Sequence, residues 1–265
     1  MSPTLNAIIG ISTIFVCTSL GSAFVFFFRK KEISPTIRKI FLGFASGVML
    51  AASIFSLILP AIEQKQDYMP SYVVVALSVA MGAAFIWGID HLVPHIHREG
   101  GEEGVRTNKV SKNAKMFLAV TIHNVPEGLS VGIAYGVALA SWANNPEASL
   151  LGALMLAIGI GLQNIPEGAV VSLSYKGEGK SNLSSFLYGV GSGAVEPVAA
   201  VLGLFLAMQI EVIMPWALAF AAGCMLYVIA EEMIPDMKGD SVHHHGVWSF
   251  IGGFILMMVL DIALG

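Results

Sequence analysis

Charge is scarce in this sequence. Asp, Glu, Lys and Arg make up 12% of its 265 residues, where soluble domains carry about 25%. Hydrophobic residues account for 55%, and the mean hydropathy is +0.75. Little but an integral membrane protein fits those figures. Cysteine is scarce as well: Cys17 and Cys224 lie in apolar runs without CxxC or zinc-ribbon spacing, which argues against a disulfide framework. There is no GxxxxGK[ST] loop for a nucleotide and no HExxH for a zinc hydrolase. The net charge of −4 and the lack of an Arg/Lys-rich block speak against nucleic acid as a partner. The opening "MSPTLNAIIG" has no basic stretch. Its apolar run is longer than a signal-peptide core and ends in "RKK", so it reads as a retained first span.

What is there is long apolar runs. A bilayer span needs about 20 mainly apolar residues. Eight segments qualify: Leu5–Phe28, Ile40–Ile62, Tyr72–Ile89, Met116–Ala138, Leu150–Tyr175, Leu183–Met208, Val212–Pro235 and Val247–Leu264. The longest connection, within 90–115, is too short to fold alone, so residues 1–265 form a single transmembrane domain. The loops after spans 1, 3, 5 and 7 hold every basic residue except Lys65. The positive-inside rule places those loops in the cytoplasm and both termini outside.

Two motif pairs recur. "IHNVPEGLSVGIAY" in span 4 aligns with "LQNIPEGAVVSLSY" in span 5 at an offset of 40, and "FASGVML" in span 2 resembles "FAAGCML" in span 7. The paired spans run in opposite directions. An inverted repeat follows, with spans 1–3 related to 6–8 and spans 4 and 5 exchanged, an all-α 3+2+3 arrangement. Secondary transporters built this way bind cargo near the midplane.

Glu127, Glu167 and Glu196 fall near the middle of spans 4, 5 and 6. Each costs about 2.5–3.5 kcal/mol to insert if uncompensated. No Lys or Arg lies within those spans, which leaves protons or a metal cation to offset the cost. Spacing favours a metal. His123, Asn124 and Glu127 share a helix face, as do Gln163, Asn164 and Glu167. Pro126 and Pro166 strip the carbonyls of Ile122 and Leu162 of their helical donors. Gly128 and Gly168 permit close helix approach. His with Glu points to a first-row metal such as Zn²⁺ rather than Mg²⁺ or Ca²⁺. Met49 offers a thioether, although a packing role competes in a chain with 13 Met. For Glu196, before Pro197, a protonated carboxyl competes.

"HNVPEG" followed by "QNIPEG", together with eight spans and outside termini, resembles the ZIP family of zinc and iron transporters, in its prokaryotic GufA-type branch. The resemblance covers essentially the whole chain. It implies a primary metal position formed by Met49, His123, Glu127, Gln163 and Glu167. It implies a second formed by Asn124, Glu127, Asn164, Glu167 and Glu196, with Glu127 and Glu167 bridging. Some relatives have Asp where this chain has Asn164, so the second position holds one negative charge fewer. The family also implies an entry path through Ser56, Glu63 and Asp261. Its cytoplasmic exit would run through Asp90, His91, His95, His97, Glu231 and Glu232. "HHH" at 243–245 reads equally as a metal-holding feature or a polar turn, and "REGGEE" at 98–103 as a flexible linker.

The expected function is import of Zn²⁺, with Fe²⁺, Mn²⁺ and Cd²⁺ as alternative cargo, by alternating access. The alternatives are a selective metal channel with the same ligands, a metal exporter and an intramembrane metalloenzyme. No catalytic residues are expected. The partners are divalent metal ions and the lipid bilayer. The oligomeric state stays open, with a homodimer among the options.

Overall fold

The computed structural model describes residues 2–28, 33–64, 67–92, 95–96, 102–103, 112–140, 146–209, 213–238 and 244–264. Two Ser-Pro-Thr triplets start two of its helices. Ser2 and Ser34 each accept a hydrogen bond from the backbone N–H three residues on, at 3.3 Å. Pro3 and Pro35 occupy the first helical position, where a missing N–H costs nothing. Ser181 caps a third helix through Ser184 N at 3.2 Å.

The helices are α1 Pro3–Phe26, α2 Pro35–Glu63, α3 Ser71–Leu92, α4 Lys112–Ala140, α5 Pro146–Gly177, α6 Asn182–Met208, α7 Met214–Lys238 and α8 His245–Leu264. Seven of them are long and apolar enough to cross a membrane. The eighth, α4, carries "HNVPEG" and is 29 residues long. Several helices overrun their apolar runs by a turn, because helical hydrogen bonding does not stop where hydropathy does. The other regular structure among the described residues is a two-residue antiparallel pair, β1 His95–Ile96 with β2 Glu102–Glu103. Part of the stretch expected to be a flexible linker is therefore paired. His97 and His243 lie outside the described residues, as does most of the 90–115 loop.

Burial runs opposite to a water-soluble fold. Leu183, Leu202, Phe205, Trp248 and Ile262 are more than half exposed, while Asn124, Glu127, Gln163, Asn164 and Glu196 are 3% exposed or less. An apolar exterior of this extent suits hydrocarbon, not water.

The closest helix pairs are α1 with α5, α4 with α6, α2 with α8 and α3 with α7. They make two groups, α1–α4–α5–α6 and α2–α3–α7–α8, joined chiefly through α2 on α5 and α4 on α7. Exchanging α1 with α6, α2 with α7, α3 with α8 and α4 with α5 converts each pairing into another on the same roster. The inverted repeat is thus built into the packing. It reaches single residues. Gly82 of α3 lies against the carbonyl of Phe220 in α7, and Gly253 of α8 lies against the carbonyl of Phe44 in α2. Both α2 and α7 contain a π-helical turn, Ser53–Ile58 and Ile229–Met233, starting 176 residues apart. That is the offset of "FASGVML" from "FAAGCML".

A Cβ added at Gly82 or Gly253 meets backbone that cannot move aside. Gly82→Ala and Gly253→Ala are each expected to destabilise the protein by about 1–3 kcal/mol. Gly88→Ala and Gly252→Ala, which face open space, are expected to stay within about 0.5 kcal/mol of wild type. Thermal unfolding in detergent measures both.

Candidate metal centre

One turn of α4 sends its polar side chains to three different helices. Glu127 Oε1 accepts a hydrogen bond from Gln163 Nε2 of α5 at 2.6 Å. Asn124 Nδ2 donates to the Ser192 carbonyl of α6 at 2.9 Å. The His123 imidazole pairs through Nε2 with Glu232 of α7. Spacing alone put His123 and Glu127 on one face of the helix. The structure divides them, because residues four apart are offset by about 40° around a helix and different neighbours lie on either side.

The turn of α5 related by the repeat behaves differently. Asn164 Nδ2 donates to Thr18 Oγ1 of α1 at 3.0 Å and lies 3.5 Å from the Ile14 carbonyl. Thr18 Oγ1 in turn donates to Glu196 Oε1 of α6 at 2.6 Å. Gly128 allows α4 to lie against the Glu196 carbonyl, and Gly168 allows α5 to lie against the Thr18 carbonyl. Thr18 and Glu196 are therefore counterparts under the repeat, and they meet each other. Sequence reading missed Thr18. The available signal was its place in span 1 at the position that Glu196 holds in span 6, but spans 1 and 6 share no motif that sets the register.

The unpaired atoms define the chemistry. Glu127 Oε2, Gln163 Oε1, Asn164 Oδ1 and Glu196 Oε2 are all buried without a hydrogen-bond partner. All four are acceptors. The carboxyls of Glu127, Glu167 and Glu196 lie within electrostatic reach of one another. Buried oxygens without donors and crowded carboxyls favour a cation over any neutral occupant. Pro126 and Pro166 sit inside continuous helix, so each also leaves a carbonyl without its helical donor. Met49 is fully buried, as is its counterpart Met225. Among the described residues, no three His, Cys, Asp or Glu side chains converge on one point. The oxygens that gather here are two carboxyl and two amide oxygens, and His123 is turned to Glu232.

The two flanking groups occupy opposite ends of the bundle. Ser56 Oγ is 2.7 and 2.8 Å from the two oxygens of Asp261. Both line a cavity of about 540 Å³ together with Glu63, Phe55, Ala134 and Gly152, so the cavity opens between the two helix groups. At the other end Asp90 is buried. His91 and Glu231 are exposed. The His91 ring lies 4.6 Å from that of Trp87, with Nδ1 3.1 Å from the Trp87 carbonyl. His95 is in β1, and His245 is exposed at the start of α8. Ser56 and Glu232 stand 176 residues apart, each inside its π-helical turn, so the two end groups are also counterparts.

The ZIP zinc transporter family model matches residues 5–116 and 114–261. The chain belongs to the ZIP family. It is 33% identical to the zinc transporter ZIP11 of Homo sapiens, covering all of this chain and 98% of that protein. It is 34% identical to the zinc transporter GufA of Myxococcus xanthus, over 84% of this chain and 85% of GufA. It is 32% identical to the zinc transporter ZIPB of Bordetella bronchiseptica, over 98% of this chain and 81% of ZIPB.

The His123–Glu232 contact joins the two helix groups, and its side chains are 20% and 14% exposed. A double-mutant cycle of His123→Ala and Glu232→Ala, read by unfolding in metal-free detergent, is expected to show a coupling of about 0.5–3 kcal/mol.

Proposed function

We propose that this ZIP protein carries Zn²⁺ into the cytosol by alternating access, with Fe²⁺, Mn²⁺ and Cd²⁺ as further cargo. The observation that carries the reading is the set of four buried acceptor oxygens without donors, on three helices of one group, at a turn of α4 that also touches the other group. A multi-pass chain whose relatives are named transporters makes a metalloenzyme the weaker account. Met49, His123, Glu127, Gln163 and Glu167 are assigned to the primary cargo position. Asn124, Glu127, Asn164, Glu167 and Glu196 are assigned to a second.

The distribution of Lys and Arg favours outside termini, and the resemblance to the prokaryotic GufA-type branch favours a cell inner membrane. On that orientation, the cavity bearing Ser56, Glu63 and Asp261 opens outward and collects cations. Asp90, His91, His95, His97, Glu231 and Glu232 lie on the cytoplasmic side and receive them. The His123–Glu232 contact then closes the inner side of the centre while the outer cavity stands open. Inward passage requires His123 to leave Glu232, and Glu232 then draws the ion on. Movement of the α1–α4–α5–α6 group against the other fits the division of contacts.

Uptake of radiolabelled zinc into proteoliposomes tests the assignment. Glu127→Ala and His123→Ala are each expected to lower uptake by about tenfold or more. Normal uptake in both variants sinks it. Saturable, strongly temperature-dependent uptake separates a carrier from a channel. Asp261→Asn removes a charge from the outer cavity. It is expected to raise the half-saturating zinc concentration a few-fold and leave the maximal rate little changed, because the charge acts on capture.

A further inference from the structure

We infer that Thr18 is the positioning residue of the second metal position, aiming one oxygen of Asn164 and one of Glu196 at the ion while touching neither the ion nor the primary position. The inference rests on the two-position reading above and names a residue outside both ligand sets.

The polarity of the chain of hydrogen bonds makes the case. Thr18 has one hydroxyl proton. Two acceptors lie within reach, Glu196 Oε1 at 2.6 Å and the Ile14 carbonyl at 3.1 Å. The shorter contact, to a carboxyl oxygen, takes the proton as the stronger bond. The Thr18 oxygen then has only lone pairs left to offer Asn164, so the atom of Asn164 that faces it must be the NH₂ group, at 3.0 Å. The Ile14 carbonyl, a pure acceptor 3.5 Å from the same nitrogen, disfavours the flipped amide. Asn164 Oδ1 is thereby turned the other way, where it is buried without a donor. Glu196, with Oε1 held by Thr18, likewise presents Oε2 unpaired. The Thr18 hydroxyl, together with the contact between Asn164 and Glu196 beside it, thus orients two oxygens from two different helices.

Packing holds that hydroxyl in place. The Thr18 side chain is 3% exposed. A Cβ on Gly193 would come within 2.7 Å of the Thr18 methyl and 3.2 Å of Glu196 Oε1, so glycine at 193 leaves the room both need. Asn164 makes this orientation decisive. A carboxylate there presents an oxygen whichever way it turns, whereas an amide presents its oxygen only if the nitrogen is held elsewhere. In a chain with Asn at 164, the second position depends on Thr18 in a way that an Asp-bearing relative would not require.

The test compares wild type, Thr18→Val and Thr18→Ser as full-length protein in detergent, titrated with Zn²⁺ and analysed for bound metal per chain. Valine keeps the shape and loses the hydroxyl; serine keeps the hydroxyl and loses the methyl. Wild type is expected to bind two ions. Thr18→Val is expected to keep the first with unchanged affinity and to weaken the second by about 10- to 100-fold, the usual effect of losing a residue that orients metal ligands. Thr18→Ser is expected to restore two. The retained first ion shows that the valine variant is folded. Two ions with wild-type affinities in Thr18→Val overturn the role of Thr18 alone. Failure of Thr18→Ser to recover the second ion assigns the effect to packing and also overturns it. A wild type that binds a single ion overturns the two-position reading itself.

Discussion

A set of buried oxygens that accept hydrogen bonds and receive none governs this molecule. In hydrocarbon, each ionisable group near a span centre costs about 2.5–3.5 kcal/mol to insert. The core of this bundle holds Glu127 and Glu196 fully buried, beside amide oxygens that also lack donors. Helices can be packed around such a cluster only if something positive visits it. The polar residues are therefore concentrated on one turn each of α4, α5 and α6, and the outer surface is left to Leu, Ile, Phe and Val. The glycines at 128 and 168 belong to the same constraint, because they draw α6 and α1 close enough for Glu196 and Thr18 to reach the centre.

The inverted repeat supplies two turns of nearly identical sequence, and the structure uses them unequally. On α4 the turn reaches outward to Glu232 through His123, across the boundary between helix groups. On α5 the turn reaches inward, with Gln163 on Glu127 and Asn164 on Thr18. The exchange of His for Gln at the paired position gives one half a contact across the boundary between helix groups and the other a contact within one group. Thr18 facing Glu196 repeats the pattern at a second pair: a hydroxyl opposes a carboxyl where the repeat alone would place like residues.

The π-helical turns extend this logic to the two ends. An extra residue in a turn re-aims the side chains that follow and is frequent at functional positions. Here it sets Ser56 beside Asp261 at one end and Glu232 beside His123 at the other. The end groups thus share a backbone device and differ in chemistry, a hydroxyl on a carboxylate at one end and a carboxylate on an imidazole at the other.

Much of this was legible in the linear chain. Eight spans, the charge bias between loops and the paired "NxPEG" turns follow from hydropathy, from counting Lys and Arg and from an offset of 40, because bilayer thickness and backbone hydrogen bonding impose those patterns on any sequence. The candidate donors on spans 4, 5 and 6 could be named for the same reason: charge in a membrane span is too costly to be incidental. The partners of those donors could not be read in the same way. His123 and Glu232 lie 109 residues apart, and Thr18 and Glu196 lie 178 apart. No local period links them. The close approach of helices at glycine, the amide that Gln163 donates to Glu127 and the direction in which Thr18 gives its one proton decided which oxygens were left bare.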